Sequence, residues 1–395
     1  MVEEIVSLGQ STIVAVTLAE LLIQEKERVQ RFENLIGGKK AGSSSGKWIP
    51  SLDPYRNENW CEISDSDERD VNAAVDAATR AFHSPEWAGM SATARGKLLH
   101  RVGDLIAANA DRLAELEVRD NGKLINEMLV QLRTIPEWFY YYGGLADKVE
   151  GGVLPIDKAD HFVFTTWEPL GVVAAITAWN SPLLLLTWKL APGLAAGNTF
   201  VIKPSEYASA STIAFAELFA QAGFPDGIVN VVCGTGQSVG APLVAHPDVA
   251  KIAFTGSDAA GKAINKAAAG DLKHVTLELG GKSPNIVFDD ADLEAAAAGV
   301  ASGIFAAAGQ TCIAGSRLLL QRTIYDAFLE KVRAVAAGVK IGNPLDPDTQ
   351  MGPLANLPHY DKVMTCIADA KKEGAVVAFG GNAIDRKSTR LNSSH

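Results

Sequence analysis

Val172-Val-Ala-Ala-Ile-Thr177 is a short apolar run, and runs of similar character recur at residues 200–202, 228–232, 251–254 and 275–277, each separated from the next by a helical segment. Short β-branched runs alternating with helices predict an α/β fold built on a parallel, helix-covered sheet. Upstream, apolar residues recur at helical spacing in Val71, Val75, Ala78 and Phe82, and again in Leu98, Leu99, Val102, Leu105 and Ile106, with Ser91 suited to cap the second helix. Between these helices and the strand block, Gly151-Gly152 and the alternation through His161, Val163 and Thr165 predict a protruding hairpin at residues 151–166, able to pair with another subunit.

The ends read differently. Residues 37–46 form a soft Gly/Ser linker, and residues 1–36 before it read as a helical extension. Its apolar stretch at 5–23 follows Glu3 and Glu4 and is interrupted by Gln10 and Glu20, which fits neither a secretory signal nor a membrane span. Residues 385–395 (DRKSTRLNSSH) carry one apolar residue and no periodicity, and read as a disordered or non-native tail.

With 395 residues, 47% hydrophobic and 21% charged, the chain has apolar material for a large core and two or three domains. A net charge of −10 argues against broad binding to nucleic acid or an anionic membrane, so a small soluble substrate is expected. The four cysteines, Cys61, Cys233, Cys312 and Cys366, include no CxxC pair. Neither a disulfide framework nor a metal site is predicted, and reduced thiols suit the cytoplasm.

Cys312 lies in Gly309-Gln-Thr-Cys-Ile-Ala-Gly315, small surroundings that leave a sulfur accessible at a tight turn, as a nucleophile requires; a buried, inert thiol is the alternative. Glu278 closes a strand whose one face is Val275, Leu277 and Leu279, just before Gly280-Gly281. A carboxylate there can face a crevice, and partial desolvation would make it a usable base; otherwise it is a solvated strand end. Asn180 follows a strand and precedes Pro182 and a leucine run, placing its amide either to donate to a developing oxyanion or simply to cap a helix.

Lys203 and Glu206 end another strand and could reach ribose hydroxyls, with Glu206 repelling a 2′-phosphate; a plain ion pair is the alternative. Two glycine patterns compete for a phosphate role: Gly234-Thr-Gly236-Gln-Ser-Val-Gly240, and Phe254-Thr-Gly256-Ser257 followed by Gly261. The second follows a strand and opens a helix, so its amides and the Ser257 hydroxyl suit an anion.

Taken together, Glu168-Pro-Leu-Gly171, Trp179-Asn180, Trp188-Lys189, Lys203-Pro-Ser-Glu206, Phe254-Thr-Gly-Ser257, Leu277-Glu-Leu-Gly-Gly-Lys282 and Gly309-Gln-Thr-Cys312 resemble the aldehyde dehydrogenase superfamily in order and spacing, from about Ser51 to about Gly381. The resemblance implies a Rossmann-type cofactor domain at 37–150 and 167–277, an oligomerisation arm at 151–166, and a partial α/β catalytic domain at 278–384. It implies Cys312 as nucleophile, Asn180 as oxyanion donor, Glu278 as base for the hydrolytic water and Lys189 as a nearby proton relay. It further implies an NAD site lined by Ile176, Thr177, Trp179, Lys203, Ser205, Glu206, Gly236, Phe254, Thr255, Gly256, Ser257, Gly261, Leu279 and Gly280, with NADP less favoured. The substrate class is an aldehyde, the assembly a homodimer or homotetramer, and Trp138, Tyr142 and Leu184 are candidate substrate walls. A CoA-acylating member and a non-catalytic binding protein are the competing readings.

Two departures stand out. Ala178 and Ser181 replace the family's proline and aromatic residue around Trp179-Asn180. The family's nicotinamide-ribose glutamate, expected after Gly381, has no counterpart, nor do the closing elements. The expectation is a C-terminally truncated member with apolar surface uncovered at residues 287–329.

Overall fold

The computed structural model describes residues 29–384. Five strands of its seven-stranded sheet run parallel in the spatial order His274–Leu279, Val249–Gly256, Val172–Ile176, Thr199–Lys203, Val229–Val231. They are the five predicted runs. The chain starts in the middle, steps outward twice to one side, then returns to build the other side, so the strand order reverses between Val172–Ile176 and Val249–Gly256. Loops leaving the carboxyl ends of strands diverge at such a reversal and open a crevice there.

The central strands are buried on both faces because helices cover both. Side chains alternate across a strand, and each face has its own core. Val173 and Ala175 join Phe200, Ile202 and Ala253 in a core with the helices Ala92–Ala108, Ile125–Leu145, Pro182–Ala195 and Ala210–Gln221. Ala174 and Ile176 join Val201, Ile252 and Phe254 in a second core, closed by Val71 and Val75 of the helix Glu68–His83. The helix Ala92–Ala108 is capped by Ser91, as its sequence predicts.

The chain's start corrects its reading. Gln30–Phe32 and Asn34–Ile36 are strands, not helix, and the Gly/Ser segment after them contains a third, Lys39–Ala41. Asn34–Ile36 and Lys39–Ala41 form an antiparallel hairpin that closes the sheet beside Val229–Val231. Helical periodicity fails here because three-residue strands carry no period; long-range bonds decide them, such as Asn34 Oδ1 accepting from the Cys233 amide at 2.9 Å. Residues 1–28 and the predicted tail lie outside the described residues. The expected boundary at 277/278 also shifts, since the strand His274–Leu279 runs through it.

A smaller unit follows. Pro284–Val287 and Arg317–Leu320 pair in parallel, joined through the helix Leu293–Phe305. Their core is Val287, Ala297, Val300, Ile324, Phe328 and Val332. Phe288, Ile313, Leu319 and Tyr325 of this region are exposed. In the predicted hairpin, Val153–Leu154 pairs antiparallel with Val163–Phe164, and its apolar side chains project outward: Phe162 is 73% exposed and the following Trp167 77%.

Candidate active site

The reversal point holds a cavity of about 420 Å³. Trp179 and Asn180 reach it from the end of Val172–Ile176, and Thr255, Gly256 and Ser257 from the end of Val249–Gly256. Glu278, Leu279 and Gly280 come from the end of the edge strand, and Gln310, Thr311 and Cys312 from the smaller unit. Asn180, Glu278 and Cys312, far apart in sequence, thus share one cavity.

Cys312 is half-buried. Its carbonyl oxygen lies against Gly281, where a Cβ would stand 2.7 Å from it, so the second glycine of Gly280-Gly281 is required by close backbone approach. The turn before Cys312 is unusual: Ala307 and Ala308 have φ of 52° and 54°, and Gly309 has 73°. Buried Gln310 braces this turn, its Nε2 donating to the Ala307 carbonyl at 3.0 Å and its Oε1 accepting from the Ala355 amide at 2.9 Å. The Asn180 Nδ2 donates to the Gln310 carbonyl at 2.8 Å. An amide nitrogen carries two hydrogens, so this bond orients Asn180 and leaves a second N–H for a ligand.

Glu278 lies on the exposed face of its strand with His274 and Thr276, while Val275, Leu277 and Leu279 pack inward, as the alternation predicts. Lys189 sits behind it, in a neighbouring, mostly apolar cavity of about 360 Å³ that Glu278, Phe254 and Trp188 also line. The Lys189 ammonium donates to Thr255 Oγ1 at 2.6 Å. Burial pulls its pKa down to about 8, and the Glu278 carboxylate opposes that shift.

The predicted cofactor residues share the carboxyl edge of the parallel strands, but not all reach the cavity. Trp179, Thr255, Gly256, Ser257, Leu279 and Gly280 line it. Ile176, Thr177, Lys203 and Ser205 are buried at neighbouring strand ends, and Lys203 donates to Glu206 at 3.1 Å. Gly236 is exposed at the start of a helical turn. Ser257 caps the helix Asp258–Ala268 by accepting from the Ala260 amide. Gly261 is spent on packing instead: a Cβ there would meet the Leu279 side chain at 2.7 Å. Trp138, Tyr142 and Leu184 pack beside the larger core and do not line the cavity; Trp138 stacks edge-on against Trp188 at 5.9 Å.

Sequence reasoning missed the helix Leu357–Lys372, whose start enters the cavity with Asn356, His359 and Lys362. The His359 ring lies 5.0 Å from that of Trp179, and burial lowers its pKa. Asn356 before Leu357-Pro358 is a helix-start signal that was available. Among the described residues, no three His, Cys, Asp or Glu side chains gather into a metal-holding group.

A doubly wound sheet whose reversal point brings together a thiol, a carboxylate and a side-chain amide defines an α/β protein with a nucleophile-bearing crevice at the place where such sheets hold their ligands. The chain belongs to the aldehyde dehydrogenase family, whose family model matches residues 41–392. It is 44% identical over 357 residues to a (Z)-2-((N-methylformamido)methylene)-5-hydroxybutyrolactone dehydrogenase from Acinetobacter baylyi, covering 90% of this chain and 73% of that protein. A betaine aldehyde dehydrogenase from Staphylococcus aureus, crystallised with NAD+, superposes with a TM-score of 0.90 at 38% identity, covering 94% of this chain and 74% of that one. A variant of an aldehyde dehydrogenase from Bacillus cereus gives 0.89 at 39% identity, with 92% and 74% covered.

Proposed function

We propose that this enzyme oxidises an aldehyde to a carboxylic acid with NAD+, through a thioester on Cys312. The observation that carries the reading is the convergence of Cys312, Asn180 and Glu278 on one cavity at the sheet's reversal point. The residues present fit a dinucleotide. Gly280 offers open backbone, Ser257 heads an 11-residue helix at the cavity, and Asn356 Nδ2 is buried without a partner on the cavity wall. Bound there, NAD+ supplies the hydride acceptor.

The chain's own groups do the rest. The Cys312 sulfur adds to the aldehyde carbon, and the developing oxyanion takes the free Asn180 N–H and the Cys312 backbone amide. Loss of hydride leaves the thioester. Glu278 removes a proton from water as its oxygen attacks the thioester carbon, and the Cys312 thiolate leaves as the carboxylate product departs. Lys189, close to Glu278 and able to titrate near pH 8, relays the proton outward. Glu206, held by Lys203, disfavours a 2′-phosphate and so favours NAD+ over NADP+. The exposed apolar hairpin at 151–166 is an assembly surface for a homodimer or homotetramer. Cysteines free of disulfides fit a cytoplasmic enzyme, and no helix among the described residues is long and apolar enough to cross a membrane.

An aldehyde panel with NAD+, read as NADH with and without CoA, tests this. NADH without CoA is expected; NADH only with CoA would move the acyl acceptor from water to a thiol, and none from folded protein would sink the enzymatic reading. Cys312→Ser should abolish turnover while NAD+ still binds. Glu278→Gln should release about one equivalent of NADH and stall as acyl-enzyme.

A further inference from the structure

Beside the cavity, the end of the helix Ala110–Asn121 and the turn that leads from it to the helix Ile125–Leu145 carry an unusual density of buried polar groups: Glu117, Asp120, Asn121 and Lys123 are all more than nine-tenths buried. None is used in the chemistry above. Lys123 Nζ donates to Ser181 Oγ at 2.5 Å, the residue next to Asn180, and the Asn121 side-chain amide reaches the Asn180 carbonyl at 3.5 Å. The same segment grips the other side of the cavity. Glu127 Oε1 accepts from the Ala307 amide at 2.9 Å, inside the left-handed turn that leads to Cys312. The Ile125 amide donates to the Pro344 carbonyl at 2.9 Å, anchoring the segment to the smaller unit.

Left-handed backbone costs a non-glycine residue about 1–3 kcal/mol and persists only where its surroundings hold it. Ala307 and Ala308 are two such residues in succession. Glu127 supplies a hydrogen bond that holds the first, and Gln310 the second restraint, through the Ala307 carbonyl. Burial pulls the pKa of the Lys123 ammonium down, and the Glu117 and Glu127 carboxylates oppose that shift. The stretch from Asn121 to Glu127 therefore connects the donor loop at Asn180 to the nucleophile turn, although the two loops come from different parts of the fold.

We propose that the segment from Asn121 to Glu127 is a brace that sets the separation of the Asn180 amide and the Cys312 sulfur, with Glu127 as a positioning residue. The inference rests on the thioester reading above for its kinetic consequence, but not for its structural one. Glu127→Ala removes the bond to Ala307, whereas Glu127→Gln keeps an acceptor there and serves as the rescue.

The brace predicts that Glu127→Ala slows the first-turnover NADH burst roughly 10- to 100-fold, the scale on which misplacing a reacting group by about 1 Å acts, with KM for NAD+ changed less than about twofold. Glu127→Gln should stay within about threefold of the parent on the same measure. Amide hydrogen exchange, which needs no activity, should rise about tenfold in the 305–314 peptide of Glu127→Ala and stay unchanged in the strand Val249–Gly256. An unchanged exchange rate at 305–314, or Glu127→Gln behaving like Glu127→Ala, overturns the brace. A parent protein giving no NADH while exchange responds as stated overturns the thioester reading instead and leaves the brace standing.

Discussion

The sheet unit and the smaller unit after it are built from the same parts, parallel strands crossed by helices, yet they hold together differently. Strand Val172–Ile176 is buried at every residue, with one core above and another below. Strand Arg317–Leu320 alternates exposed and half-buried, and the helix Leu357–Lys372 has no buried residue at all. Burying apolar area contributes about 25 cal/mol per Å², so the doubly covered sheet is the stable half and the smaller unit leans on it. The proposed site follows the division: the sheet edge carries Asn180, Ser257 and Glu278, while Cys312 enters from the smaller unit.

The widest test of that contrast removes one phenylalanine from each core. Phe139, fully buried and ringed by Phe215 and Phe219 at 6.3 and 5.9 Å, belongs to the larger core. Phe139→Ala should cost about 3–5 kcal/mol and lower the denaturant midpoint of the whole chain. Phe328 is equally buried but sits in the small core. Phe328→Ala should raise amide exchange across residues 293–337 while the parallel strands keep their protection. If Phe328→Ala loosens both units alike, they are one cooperative block and the contrast is wrong.

A smaller effect separates the two units by pH. Asp120 and Glu117, inside the sheet unit, both have pKa values pushed up to about 7, chiefly by burial. A carboxyl group raised in this way keeps its proton in the folded state after the unfolded chain, with a pKa near ~4, has released its own. Its contribution is complete below about pH 4 and is lost as pH rises through about 7. Unfolding free energy, followed from pH 4 to 8, should therefore fall less steeply in Asp120→Asn than in the parent, and the difference cancels groups common to both. Parallel profiles would show that Asp120 is ionised throughout.

How much was legible in the sequence follows the same division. The five parallel strands and the motifs at their carboxyl ends are local patterns, and register places them side by side: Ile176 pairs with Lys203, and Thr255 with Glu278. That Cys312, Glu278 and Asn180 stand at strand ends or turns was readable, because their neighbours announce those places. Lys123 and Glu127 were not. A polar residue whose partner is distant in sequence reads like a solvated one until that partner, 180 positions away in the case of Glu127 and Ala307, is known to be there. The opening strands escaped for want of length, and His359 because its significance lies in a ring contact with Trp179, not in its own surroundings.

The finest test is a single charge on the smaller sheet. Leu318 and Leu320 pack onto the Phe328 core, whereas Leu319 between them is 49% exposed. With a period of two, a lysine at 319 keeps its ammonium in water and should alter stability by no more than ~0.5 kcal/mol. The same change at Leu318 drives a charge toward Phe328 and should unfold the unit. No position in Val172–Ile176 offers the first outcome, because that strand has no open face. If Leu319→Lys proved as damaging as Leu318→Lys, then the outer face of the small sheet is covered in solution and the smaller unit is not the one-sided structure its burial pattern describes.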